Sequence, residues 1–322
     1  MVARRTALAA LLVLACIGAP CLAGEGAMWT EVDGVVFGAR ADERGAIGGG
    51  EGYTAPVAGG DYTARDLDGL LDALVRAKAG EVVFVPGETE IDLTARIYIE
   101  QLVLDVPEGV TLAGERGRNG SKGALLTSDA LKTPVMIRAA GPGVRITGLR
   151  IRGPNTKRYM AHHRRSFGKG GDGREYYYKL PTSNGIQTDH PRLEVDNCDI
   201  SGFAHAGVNL RKGDGHHVHH NAIHHCQYNG LGYGVCLNTA SALIECNLFN
   251  WNRHSIAGTS IEICSNTFLA PQTPIVIRGV PQEKCEVHHN WFPRHPSAAK
   301  AFRGPDEAKV EGNLYAAGAG HE

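Results

Sequence analysis

His254, Tyr233, Arg211, Arg253 and His217 are the residue types a β-elimination needs, and they sit near corresponding points of a stretch that repeats in the second half of the chain. The reaction removes a proton α to a carboxylate, and the anion that develops needs a positive neighbour. Arg211 or Arg253 could supply it. A neutral His254 or His217 titrates near working pH and could take the proton, while Tyr233 could protonate the departing glycosidic oxygen. Asp189, His205, His219, Glu245 and Arg278 occupy adjoining points and read as substrate-binding residues. Taken singly, each histidine is better explained as a satisfied surface or turn residue. The grouping carries the reading.

Other chemistries compete for the same residues. Two carboxylates at a suitable separation would hydrolyse a glycosidic bond, and Asp189, Asp214 and Glu245 are available for that. Histidine, tyrosine and arginine nevertheless dominate the group, so hydrolysis ranks second. A non-catalytic polysaccharide-binding protein is a third reading. The run His216-His217-Val218-His219-His220 raises a metal, because alternation puts His217 and His219 on one face, where both could ligate. The spacing fixes no carboxylate partner for them, and no CxxC pair occurs to form a zinc knuckle.

The element that must position these residues is a solenoid. An aliphatic residue, a small or amide residue three positions on, and an apolar residue two beyond that recur six times. The copies are Val195-Cys198-Ile200, Val218-Asn221-Ile223, Ile244-Asn247-Phe249, Ile263-Asn266-Phe268, Val287-Asn290-Phe292 and Val310-Asn313-Tyr315. A period of 20 to 30 residues with strand-like content implies stacked turns. Asparagine at one point of each turn implies a ladder of side-chain amides. Ile146-Leu149-Ile151 reads as an earlier copy, and a second strand per turn aligns Ile186, Val208, Val235, Ile256 and Ile275 facing inward. Turns stack about 4.8 Å apart, so His205, Arg211, Tyr233, Arg253 and His254 should share one sugar-sized patch. The fold class expected is all-β: a single-stranded right-handed parallel β-helix with an amino-terminal capping helix. That helix is expected within Ala64–Ala79, with Asp66 as its N-cap.

Residues 1–23 read as a secretory signal peptide, with Arg4 and Arg5 before an apolar run from Ala7 to Ile17. Lipoprotein anchoring through Cys16 fits less well, and the expected location is secreted or periplasmic. Residues 24–322 form one β-helix domain in this reading, expected to be a monomer without a transmembrane span. The 33 Lys and Arg nearly balance the 34 Asp and Glu, so charge says nothing for nucleic acid. Cys198, Cys226, Cys236, Cys246, Cys264 and Cys285 remain after the signal, and stacked free thiols are at least as good a reading as disulfides. An insertion at about 153–184 interrupts the repeat. Its segment 157–179 carries seven basic residues and four tyrosines, which suits an acidic glycan.

On these residues the chain resembles the pectate lyase superfamily of parallel β-helix proteins. Phe37-Gly38 through Gly48-Gly49-Gly50, the leucine-rich helix, and Val82-Val83-Phe84-Val85-Pro86-Gly87 are similar to that family's cap and first turn. Pro107-Glu108-Gly109-Val110-Thr111-Leu112-Ala113-Gly114 looks like an early turn, and Val287-His288-His289-Asn290-Trp291-Phe292 and Val310-Glu311-Gly312-Asn313-Leu314-Tyr315 like the closing ones. The resemblance covers nearly the whole mature chain. It implies a substrate cleft built from the patch above together with outward residues of the following strand, here Glu194, Asp196, His217, His219 and Glu245. The family's aspartate set for calcium and its Arg-x-Pro-x-x-Arg segment are absent. Calcium therefore stays open as a cofactor, and fold alone does not carry the activity.

Overall fold

A computed structural model describes residues 28–43, 45–50, 52–155, 160–173, 181–227, 231–258, 260–270, 272–278 and 284–316. The signal peptide, Cys16 and most of the insertion's basic and aromatic residues (Lys157, Arg158, Tyr159, Arg174, Tyr176, Tyr177, Tyr178 and Lys179) lie outside them. Among the described residues, no helix is long and apolar enough to cross a membrane.

The chain winds through three parallel faces. Sheet 1 stacks Leu104–Val106, Ile137–Ala139, Asn184–Thr188, the first halves of Ala206–His219 and Tyr233–Glu245, His254–Gly258, Ile275–Ile277 and Phe302–Arg303. Sheet 2 begins at Tyr62–Thr63 and ends at Lys309–Glu311, and the two long strands run unbroken round the corner from sheet 1. Sheet 3 runs from Glu90–Asp92 to Leu314–Tyr315. This is a parallel β-helix.

The expected registers are observed. Ile186, Val208, Val235, Ile256 and Ile275 are paired turn by turn and fully buried. Ile146 pairs with Val195, which makes it the earlier copy of the repeat, and Val195 leads the column Val218, Ile244, Ile263, Val287, Val310 on sheet 2. On sheet 3 the rings of Phe249, Phe268, Phe292 and Tyr315 stack at 5.2, 4.7 and 5.3 Å.

The asparagine ladder occupies the corner between sheets 2 and 3. The Nδ2 groups of Asn221, Asn247, Asn266 and Asn290 each donate to the Oδ1 of the next asparagine, at 3.0, 3.0, 3.1 and 2.9 Å. The corner residue just before each rung has left-handed φ: Asn197, His220, Cys246, Ser265 and His289, all between 51° and 54°. That conformation costs roughly 1–2 kcal/mol in a non-glycine residue. Ladder bonds, each contributing about 1 kcal/mol, offset it.

The amino-terminal cap is the helix Leu67–Arg76, where Asp66 accepts the Gly69 N–H at 2.8 Å and Leu70, Ala73 and Leu74 close the core. A second helix, Thr94–Glu100, was not expected from sequence. It buries Ile97 but leaves Tyr98 and Ile99 82% and 77% exposed, so its apolar spacing imitates a strand. The next strand, Leu104–Val106, opens sheet 1.

Upstream of the helix, Trp29–Val32 and Val35–Gly38 form a hairpin. The chain then crosses the corner between sheets 2 and 3 as a strap. The Ala39 N–H donates to Thr267 Oγ1 at 2.8 Å, and the Tyr53 hydroxyl donates to Asp196 at 2.7 Å. Among the described residues the six cysteines are buried and form no disulfide.

Candidate active site

Asn184, Ala206, Tyr233 and His254 stack in one row at the start of the sheet 1 strands, one residue per turn and two positions before the buried column. Beside this row is a groove of about 290 Å³ lined by His205, Leu231, Tyr233, Cys236, Asn238 and Arg278, among others. No carboxylate is among its described lining residues.

Both histidines next to Tyr233 are set up in the same way. His205 Nδ1 is 2.7 Å from Asn184 Oδ1, and His254 Nδ1 is 2.8 Å from the Thr273 carbonyl. Each partner is an acceptor, so each Nδ1 carries the proton and each Nε2 carries the lone pair. Burial pushes His205 below its ordinary value and His254 down to about 4, with Arg253, Arg278 and Arg303 adding to the depression of His254. Both rings are therefore neutral near pH 7. His205 meets Tyr233 edge-on at 5.9 Å, whereas His254 stacks on the other side at 6.1 Å and 17°. His205 lines the groove. His254, 8% exposed, stands behind Tyr233.

Arg253 borders this cluster and donates to the Leu231 carbonyl at 3.3 Å. Arg278 and Arg303 are exposed. Neither makes an ion pair among the described residues. Cys236 forms part of the floor, and its thiol is pushed up to about 12 by burial, which makes it a poor nucleophile.

The remaining residues named from sequence lie elsewhere. Arg211 Nε is 3.4 Å from Asp189 Oδ1, at the edge of sheet 1. Arg211 is thus outside the lining of the groove, and the five-residue patch reduces to His205, Tyr233, Arg253 and His254. A register shift between Gly213 and His216 marks the corner, and beyond it His217, His219 and Glu245 belong to sheet 2. The single cleft expected from the resemblance is therefore two surfaces. On sheet 2, His217 Nε2 is 3.0 Å from Glu245 and His219 Nε2 is 3.2 Å from Glu194, with the two rings 3.9 Å apart. A second cavity of about 380 Å³ opens there, lined by His216, His217, Ser241, Glu262 and Lys284 among others.

Asp196, expected in the cleft, is buried and structural. Burial alone would raise its carboxyl, but Arg145 grips it at 2.9 and 2.8 Å and holds it below the usual carboxylate range. Three groups of possible metal ligands exist among the described residues: Asp42, His220 and Cys246; Glu262, Cys264 and His288; and Glu194, Asp196 and His219. Each contains histidine, so none is the all-oxygen set that calcium prefers.

Residues 180–314 match the family described as right handed beta helix region. The chain is a right-handed parallel β-helix. No curated protein and no solved structure matches it. The match concerns a fold and carries no activity.

In this right-handed β-helix the residues sequence reasoning missed each have their own cause. Arg303 pairs with Val276 on the outward face of sheet 1, but the strand alignment ends at Ile277, before that turn. Thr273 contributes through its carbonyl, which side-chain identity does not reveal. Asp42 belongs to the strap, which has no repeat to align.

Proposed function

We propose that the chain is an exported carbohydrate-active enzyme, a lyase that cleaves a uronic-acid-containing glycan by β-elimination in the sheet 1 groove. The observation that carries this reading is the composition of the groove. His205, Tyr233 and Arg278 line it together, His205 presents a neutral imidazole, and no described lining residue is a carboxylate. A cationic groove without carboxylates favours an anionic sugar over a neutral one.

In the proposed step, Arg278 pairs with the uronate carboxylate and stabilises the negative charge that develops beside it. His205 Nε2 takes the proton α to that carboxylate, and the electron pair becomes the new carbon–carbon double bond. As the glycosidic C–O bond breaks, the Tyr233 hydroxyl protonates the departing oxygen. His205 moves into the role of base because it faces the groove. His254, behind Tyr233, becomes a positioning residue. Hydrolysis is less well supported, since Asp189 is engaged by Arg211 and Glu245 lies on the other sheet beside His217.

The test is ultraviolet absorbance of the conjugated product during incubation with a panel of uronic-acid polysaccharides, with and without calcium. Rising absorbance that is lost in His205→Ala and Tyr233→Phe supports the proposal. Reducing ends without absorbance would turn the case to hydrolysis. Binding without products would leave a passive scaffold.

A further inference from the structure

His220 and Cys246 hold the same corner position on consecutive turns, each just before a ladder asparagine and each with left-handed φ. Their side chains leave the corner together and meet Asp42 of the strap. A carboxylate oxygen of Asp42, a ring nitrogen of His220 and Cys246 Sγ lie within 4.8 Å of one another. His220 is fully buried and Cys246 nearly so, packed with Ala39 and Ile47.

The hydrogen-bond chain behind His220 sets its tautomer. An ionised carboxylate can only accept, so His219 Nε2, 3.2 Å from Glu194, carries the proton and donates to it. His219 Nδ1 is then an acceptor, and His220 Nδ1, 3.0 Å away, must donate to it. That leaves a lone pair on His220 Nε2, facing the Asp42 carboxylate at 3.5 Å. The Asp42 carboxylate, the His220 ring and the Cys246 thiol thus converge on one point, a set of donor atoms that a divalent cation could take.

We propose that Asp42, His220 and Cys246 bind a zinc-class divalent transition ion that clamps the amino-terminal strap to the β-helix. The donor set is one that zinc takes, with a fourth position left for water. Tetrahedral bonds of 2.0–2.2 Å to nitrogen and oxygen give an N···O edge of about 3.3–3.5 Å, which agrees with the distance found. The His219–Glu194 chain supplies the outer partner that orients a ligating imidazole and raises its basicity. The neighbouring groups are less suited. Arg145 already grips Asp196, and Lys284 donates to Glu262 at 2.6 Å.

The experiment uses the untagged mature chain, reduced, stripped with chelator and titrated with cobalt(II), whose thiolate charge-transfer band reports a cysteine ligand. One equivalent should produce the band. Cys246→Ala should abolish it, Asp42→Asn should weaken binding at least about tenfold, and Cys264→Ala should leave it intact. Asp42 is exposed, so its variant carries the test even if Cys246→Ala fails to fold. A band that survives Cys246→Ala, or one lost in Cys264→Ala, would overturn the assignment. So would a wild-type chain that gives no band, which would mean that a proton alone bridges His220 and Asp42.

Discussion

His254 and Tyr233 lie ring against ring on adjacent turns, 6.1 Å apart and 17° from parallel, while His205 meets the opposite side of Tyr233 edge-on. One tyrosine is thus held between two neutral imidazoles, and only one of those faces the groove. The arrangement separates their effects. His205→Ala and Tyr233→Phe should each lower the elimination rate by about 10²-fold or more, the usual contribution of a positioned acid or base. His254→Phe keeps a ring behind Tyr233 and should cost much less, mostly in kcat. Equal losses in His254→Phe and His205→Ala would reverse the two roles.

The burial that keeps His254 neutral also makes the fold acid-sensitive. Its folded pKa, about 4, lies below the ordinary value of 6.5. The unfolded chain therefore takes up the proton first as pH falls. The contribution to stability is complete above about pH 6.5 and is lost as pH falls toward 4, up to about 3 kcal/mol. His205, His216 and His225 are shifted down as well and add slopes of the same sign. Urea unfolding of wild type and His254→Gln at pH 7.0 and 4.5 isolates the His254 part. The stability gap between the two proteins should narrow at the lower pH, and a constant gap would contradict it.

Much of this architecture was legible because a solenoid repeats in sequence what it repeats in space. Val218, Ile244 and Ile263 could be aligned without coordinates, and so could Asn221, Asn247 and Asn266, because each turn presents the same environment to the same position. The corner between sheets 1 and 2 was not legible. The strands Ala206–His219 and Tyr233–Glu245 pass through it without a break, and only the register shift near Gly213 shows where one face ends. Aligned columns therefore placed Arg211 and His217 in one cleft that the fold divides. The strap was illegible for a different reason. Asp42 meets residues about 200 positions away, and no local pattern encodes that contact.

The ladder should show a gradient of cost along the helix. In the interior, Asn247 Nδ2 donates to the Val218 and Glu245 carbonyls and to Asn266 Oδ1, while its own Oδ1 accepts from the Asn221 backbone and side chain. Asn247→Ala leaves several of these groups buried without partners, at about 1–3 kcal/mol each before relaxation. A total loss of about 3 kcal/mol or more is expected. Asn313, on the last described turn, is only half-buried, so water can replace its bonds and Asn313→Ala should cost about 1 kcal/mol. Denaturant midpoints at unchanged m-value provide the comparison. Equal costs at the two sites would contradict a desolvation origin.

Asp196 should matter more to the fold than any carboxylate on the sheet 2 surface. It is fully buried, gripped by Arg145 through two bonds, and accepts from the Thr147 and Tyr53 hydroxyls at 2.9 and 2.7 Å. Asp196→Ala leaves the Arg145 guanidinium without its main partner, and breaking such a pair from one side costs about 3–5 kcal/mol. Glu194, also 3.5 Å from Arg145, is more exposed and cannot restore the lost geometry. The same substitution frees the Tyr53 hydroxyl and with it one anchor of the strap. Asp196→Ala should therefore lower global stability and also speed protease cleavage within residues 40–54, whereas Tyr53→Phe should speed cleavage there with little global loss, about 1 kcal/mol. Limited proteolysis with mass mapping, run beside urea unfolding, separates the two effects. A Tyr53→Phe variant with an unchanged strap cleavage rate would show that the Asp196 bond does not hold the strap.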